Sequence, residues 1–245
     1  MFDINGKYQA SIFGNFTDIS PNSENIIKIL SLFKEENYIP STIQEISQIA
    51  SGNAHRVQLI TNDREWHINF LTNRIDIEKN PIDSKGNNLG KIEDFTNYSV
   101  KTFEKILLEF NKKSSRFSLV TSGLLKEISS EKLDCIYCKL FNQIKFYEDN
   151  PPFEWNFRTV SKIKKELLGS QENYNIISSI NRLQGIFSSQ SESYNFDRIE
   201  VQFDINTTHE NQETRFELKH IDEFMKQAVS IRADLIEEFK EYLDV

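Results

Sequence analysis

Glycine and proline are scarce in this 245-residue chain, with 8 and 5 copies, and cysteine occurs only twice. Two thiols cannot build the disulfide framework of a small secreted domain. No run of about eighteen apolar residues occurs, which excludes a membrane-spanning helix. The opening MFDINGKYQ has no basic segment followed by an apolar one, so no secretory signal is expected. An excess of positive charge is missing too. The 29 Lys and Arg against 37 Asp and Glu leave a net charge of −8, a field that repels phosphate backbones unless basic residues cluster locally. These absences predict a cytoplasmic protein with no membrane partner, for which nucleic acid is a disfavoured ligand.

What is abundant is phenylalanine, at 19 copies. With 38% hydrophobic and 27% charged residues, the composition is that of a folded protein whose core leans on large rings. A chain of this length buries roughly three quarters of its unfolded surface, so it needs neither metal nor disulfide to fold. Richness in Asn, Ile, Lys, Glu and Phe matches the AT-rich codons of bacterial or mobile-element genes.

YQASIFGNF (8–16) reads as a first strand. Ser23 reads as the N-cap of a helix carrying Ile26, Ile27, Ile29, Leu30 and Phe33, and Thr42 to Ile46 as a weaker strand after Pro40. RVQLITNDREWHINFLTNRIDIEKN predicts an antiparallel meander of three strands, 56–61, 64–71 and 74–78. Asn62-Asp63 and Thr72-Asn73 form its turns, and Trp66, Ile68 and Phe70 alternate with His67 and Asn69. A polar loop, IDSKGNNLGK, leads to a helix over 93–112 with Phe95, Tyr98, Phe103, Ile106, Leu107 and Phe110 as its stripe. Beyond the Lys112–Ser115 link come a strand at 116–122, a helix at 130–146, and strands at 154–160, 174–180 and 199–205. KIKKELL (162–168) reads as a short helix ended by Gly169, and FSSQSESYNF (187–196) as a serine-rich loop. A long helix from Ile221 to Leu243 closes the chain. Its stripe is Ile221, Phe224, Met225, Ala228, Ile231, Leu235, Phe239 and Leu243. Such a helix caps its own sheet or pairs with another chain.

The fold class expected is α+β, largely antiparallel sheet covered by amphipathic helices. Residues 1–113 and 114–245 share an order of strand, helix, strands, helix. They read as two similar halves or as one continuous domain, with no repeat at the level of residues.

Three constellations invite chemistry. Cys135 and Cys138 stand in a C-x-x-C spacing, but structural zinc needs four ligands, and His55, His67, His209 and His220 are in no matching spacing. Inside a helix, and past its first turn, the pair also lacks the dipole that activates a redox thiolate. The expectation is two thiols packed against a neighbouring element. Asp204 in VQFDIN with Glu217 and Lys219 in FELKH mimics a PD-(D/E)xK nuclease, in which two carboxylates on adjacent strands hold a divalent cation and a lysine assists. A hairpin from Ile199 to Lys219 would bring them together, whereas alternating charge ordinarily marks a solvated strand face. Gly86 and Gly90 lack the G-K-[ST] of a phosphate loop and read as a flexible connection. His67 has no identifiable partner and reads as a structural or surface imidazole. Trp155 reads as a core or edge anchor after the Pro151-Pro152 stop.

RVQL (56–59) before the meander, FDIN (203–206), and KHIDEFMKQAVSIRADLIEEF (219–239) together resemble a sporadically distributed family of uncharacterised prokaryotic proteins of about this length. The likeness runs through most of the chain in order, with 129–169 outside it. It implies an accessory role, such as anti-phage defence or another mobile system, and brings no catalytic residues with it.

The reading that follows is a non-enzymatic binding or adaptor protein without cofactor, metal or catalytic set. Its partner would be another protein or a second copy of itself. The alternative is a metal-dependent nuclease using Asp204, Glu217 and Lys219.

Overall fold

A computed structural model describes residues 2–46, 53–188 and 193–244. The strands are β1 (Phe2–Phe13), β2 (Tyr38–Ile46), β3 (Asn53–Thr61), β4 (Trp66–Phe70), β5 (Arg74–Lys79), β6 (Arg116–Leu125), β7 (Trp155–Leu167), β8 (Ser170–Ser188) and β9 (Ser193–Thr207). The helices are α1 (Ser23–Leu32), α2 (Ile92–Glu109), α3 (Ser130–Leu140), α4 (Lys145–Asp149) and α5 (Leu218–Leu243). All nine strands form one sheet in the order β2-β3-β4-β5-β1-β6-β9-β8-β7, and every pairing is antiparallel. The chain is therefore α+β with an antiparallel sheet. β1 and β6 join at its centre.

Strand alternation gives the sheet two unlike faces. On one face, Leu59, Ile68, Ile77, Ala10, Leu119, Ile205 and Ile176 stand opposite one another in a single rank from β3 to β8. The first six are at most 1% exposed. The helices cover this face, and α2 and α5 also pack on each other. Phe95 of α2 lies 5.5 Å from Tyr8 of β1 and 5.8 Å from Trp66 of β4, between ring centroids. Phe224 of α5 lies 5.3 Å from Phe117 of β6 and 5.5 Å from Tyr174 of β8. Ile92-Glu93-Asp94-Phe95 at the start of α2 and Ile221-Asp222-Glu223-Phe224, three residues into α5, carry matching residue types. That correspondence was missed in the sequence because 128 residues separate the two phenylalanines and the flanks differ.

A second, smaller part of the core gathers Leu133, Ile136 and Tyr137 of α3 against Leu125, Ile180, Val201 and Leu243. Arg182, buried beneath α3, pairs one guanidinium edge, Nε and Nη2, with Asp197 at 3.0 and 2.8 Å and donates through Nη1 to Asp134 of the helix at 3.3 Å.

Several expectations are corrected. KIKKELL is not a helix but the second half of β7. Ile163 and Leu167 point to the covered face while Lys162, Lys164 and Glu166 point away. Thirteen cross-strand pairs with β8 outweigh the weak helix preference of lysine and glutamate. Leu168 and Gly169, with φ of 49° and 89°, make the connecting turn. The helix expected over 130–146 stops at Leu140, because Phe141 turns out to pack on Trp155 at 5.6 Å and Phe157 at 5.6 Å. The serine-rich segment belongs largely to the β8–β9 hairpin, whose pairing reaches Ser188 and Ser193; residues 189–192 lie outside the described ones. In the meander, the left-handed residue of the β3–β4 turn is Arg64, φ 61°, rather than Asn62 or Asp63.

Gly86 belongs to an anchored loop rather than a flexible one. Its φ is 63°, its N–H donates to Asp83, and a Cβ placed there would collide with the Asn5 carbonyl oxygen. Gly86→Ala is expected to cost more than about 1 kcal/mol of stability in urea unfolding, since both conformation and space are denied.

Candidate functional site

The opposite face of the sheet carries no helix packing among the described residues. Its central rank runs across all nine strands as Ser41, Gln58, Asn69, Asp76, Ser11, Ser118, Asn206, Asn175 and Lys162. At the usual inter-strand spacing this polar rank is about 38 Å long. Its members hold one another. Ser41 donates to Gln58 (3.1 Å), Gln58 to Asn69 (2.7 Å), Ser11 to Asp76 (2.6 Å) and Asn175 to Asn206 (3.1 Å). Asp204, one rank away, accepts from Ser118 at 2.8 Å and from Asn206 at 2.9 Å. Side chains fixed this way lose little further freedom when something docks on them.

The adjoining rank is Ile39, Ile60, His67, Glu78, Gln9, Val120, Asp204, Ile177 and Val160. Its two wings are aliphatic and its centre polar. Ile39 and Val160 are 50% and 52% exposed. Acidic and basic groups alternate over the face, as in the Lys7–Glu78 pair at 2.8 Å and the Arg74–Asp76 pair at 2.9 Å.

Asp76 is the most buried carboxylate of this face, at 2% exposure. Burial pushes its pKa above the ordinary carboxylate value, against the opposing pull of Arg74 and the hydrogen bond from Ser11. A carboxyl whose folded pKa lies above its unfolded one stabilises the fold most at low pH, and that contribution is lost as pH rises through the folded pKa. Asp76→Asn, which keeps an acceptor for Ser11, is therefore expected to gain stability relative to the parent at pH 7, with the gain shrinking toward pH 4. Urea unfolding at the two pH values measures it; an Asn variant less stable than the parent at pH 7 contradicts it.

The residues singled out from sequence are dispersed. Asp204 sits on β9 on the uncovered face. The hairpin expected from Ile199 to Lys219 is not formed: β9 ends at Thr207, and Lys219 is in the first turn of α5. Glu217 is the N-cap of α5. It and His220 satisfy each other's backbone N–H groups in a capping box, with Glu217 N donating to His220 Nδ1 at 3.1 Å. Lys219 lies 3.7 Å from Glu217. Glu217→Ala should thus cost about 0.5–2 kcal/mol of stability through the lost cap, read by thermal unfolding. Among the described residues, no group of three or more His, Cys, Asp or Glu side chains is placed to hold a metal ion.

Cys135 and Cys138 are exposed on α3 rather than packed against a neighbour, the Cys138 Sγ accepting from Gln143 Nε2 at 3.1 Å. Both thiols are expected to react with a chromogenic disulfide reagent in the native protein, without denaturant; fewer than two equivalents would contradict that placement. His67 stands opposite Ile60 and Glu78 on the uncovered face, its Nε2 buried without a partner among the described residues. Trp155, 8% exposed, anchors the start of edge strand β7 against Tyr137 and Phe141.

The polar rank was not visible from sequence, although each strand carries a trace of it. Val57-Gln58-Leu59, Ile68-Asn69-Phe70, Ile75-Asp76-Ile77, Ala10-Ser11-Ile12 and Phe117-Ser118-Leu119 each place one small or amide side chain between apolar neighbours. Only the register between strands lines them up. No protein-family model, curated protein or solved structure matches this chain. No described helix is long and apolar enough to cross a membrane.

Proposed function

We propose that the protein is a non-enzymatic adaptor that holds a partner protein on the uncovered face of its sheet. The observation that carries this reading is the pair of ranks just described: a prearranged polar row beside aliphatic wings at Ile39 and Ile60 and at Ile177 and Val160, with Val120 the one apolar residue of the otherwise polar centre. Aliphatic patches beside satisfied polar groups suit a protein surface. The carboxylates of this face, Asp76, Glu78, Glu200 and Asp204, do not suit a phosphate backbone, which calls for a basic groove. The carboxylates and hydroxyls are engaged with one another rather than aimed at a common point where a substrate atom would sit.

The reading extends to the chain's origin as two copies of one plan. β1-α1-β3-β4-β5-α2 would correspond to β6-α3-β7-β8-β9-α5, with β2 added at one edge. The support is the matching four-residue run in α2 and α5, the equivalent seats of Phe95 and Phe224, and Ser99 and Ala228, both 0% exposed, four residues after each phenylalanine. The resemblance of the RVQL and FDIN segments carries a further proposal, service in a defence or other mobile system, which the identity of neighbouring genes tests.

The adaptor reading is tested with a Val120→Lys, Ile177→Lys double variant. Both side chains are part-exposed on the uncovered face, so the variant should keep the parent's circular dichroism. Its affinity for a co-purifying protein should fall by about tenfold or more. Equal recovery of the partner by parent and variant overturns the reading. Light scattering separates a second copy of this chain from a different protein.

A further inference from the structure

Arg116 opens β6 on the uncovered face, directly opposite Phe13 of β1, and its guanidinium carbon lies 4.1 Å from the centroid of that ring. It donates no hydrogen bond and makes no ion pair with any described residue, and its Nε is buried without a partner. Three other arginines held within the fold are satisfied. Arg56 binds three carbonyls, Arg182 binds Asp197 and Asp134, and Arg215 binds Glu172 at 2.9 and 2.7 Å. A donor taken out of water without an acceptor is costly, and the other donors of this half-buried guanidinium have only solvent to meet. Its setting sharpens the cost. Burial disfavours its charge and Arg74 repels it, while Asp204, the one attractive neighbour, is occupied by Ser118 and Asn206.

The side chain lines a cavity of about 360 Å³ formed where the β1–α1 loop, the β4–β5 turn and the β9–α5 loop meet. Besides Arg116 its polar lining includes Asn15, Asn73, His209, Asn211 and Thr214, and no lining residue is a carboxylate. In a chain with 37 Asp and Glu, such a wall is a local reversal of the overall charge. The walls are anchored. Gly14 N donates to Asn73 O at 3.0 Å, and Arg215 Nη1 to Ser115 O at 2.8 Å. The volume is that of a small-molecule site.

We propose that this cavity binds a small organic oxyanion, a phosphate or a carboxylate, with Arg116 as its charged anchor and the surrounding amides and His209 reading the rest of the molecule. The anion supplies the partner that Arg116 lacks and relieves its repulsion with Arg74. Phe13 holds the guanidinium at the cavity wall through the cation–π contact. The site does not depend on the adaptor reading; a protein partner could be absent and the cavity would still bind.

Calorimetric titration of the full chain with inorganic phosphate, pyrophosphate, acetate and citrate, at fixed ionic strength, tests it. Saturable one-site binding of the phosphate pair or of the carboxylate pair is expected, and which pair binds identifies the chemistry. Arg116→Met, which keeps the stacking on Phe13, should weaken that binding by about tenfold or more. In the absence of ligand it should unfold no lower in temperature than the parent, because it removes a buried donor, Nε, that has no acceptor. His209→Ala, at an exposed position, should weaken binding without changing the fold, and Lys226→Met on α5 should leave binding unchanged. No saturable binding by any of the four probes overturns the proposal. So does an Arg116→Met variant that binds as the parent does.

Discussion

Arg56→Met should cost about 3–5 kcal/mol of stability, the loss typical of breaking a buried charged network. The side chain of Arg56 is 4% exposed. Its Nη2 donates to Phe16 O at 2.6 Å, its Nη1 to Thr17 O at 3.2 Å and its Nε to Phe70 O at 3.1 Å. Glu45 stands 3.8 Å away and supplies the counter-charge. The planar fork thus ties the loop after β1 to β3 and to the end of β4. Methionine fills much of the volume but leaves three carbonyls without a donor. Lysine keeps the charge yet cannot address three acceptors in different directions, so Arg56→Lys should recover little. Urea unfolding gives the answer, and a loss under about 1 kcal/mol would remove this clamp from the account.

Phe95→Ala and Phe224→Ala should each cost about 3–5 kcal/mol, the range for emptying a large aromatic site in a packed core. Both rings are at most 1% exposed, and each wedges between an aromatic of a central strand and one farther out in the sheet. If the two halves follow one plan, the losses should match to within about 1 kcal/mol, since the two cavities have similar walls. The two tryptophans offer a second readout, because Trp66 reports on β4 and Trp155 on β7. A Trp66→Phe variant and a Trp155→Phe variant, each with one indole left, should give coincident urea transitions, because the β1–β6 pairing makes one sheet of the whole chain. Separate transitions would mean that the halves unfold independently.

What could be read from the sequence depends on how local the deciding contacts are. The meander was legible because Trp66, Ile68 and Phe70 alternate with polar residues and the turns between strands are short. The stripe of α5 was legible for the analogous reason at helical period; its Ile221, Phe224, Met225, Ala228 and Leu243 are all buried. The second half of β7 was not, because Lys162 to Leu168 are good helix formers whose strand state is imposed by β8, a partner chosen through a turn at Leu168-Gly169, whereas the strand expected at 154–160 is its first half. α3 ends early for a tertiary reason, the pull of Trp155 and Phe157 on Phe141. The nuclease-like trio failed as a hairpin because Glu217 is consumed by capping α5.

The same reasoning applies to the face and to the cavity. Gln58 in RVQL reads locally as an ordinary exposed amide, and only the sheet order places it in line with Asn69, Asp76 and Ser11. Arg116 reads locally as the polar start of a strand. Its lack of a partner is a property of what surrounds it: the ring of Phe13, the guanidinium of Arg74 and a loop, 208–217, that arrives from more than ninety residues away. Local residue pattern carries element type; binding surfaces depend on register, which is non-local.

The uncovered face can be interrogated most directly by installing a photo-activated cross-linking residue at Gln202 or Ser179, on that face, and separately at Lys226 on the outer side of α5. In the cells that make the protein, the adaptor reading predicts adducts of one defined mass from Gln202 and Ser179 and none from Lys226. Adducts confined to Lys226, with none from the sheet, would contradict the account.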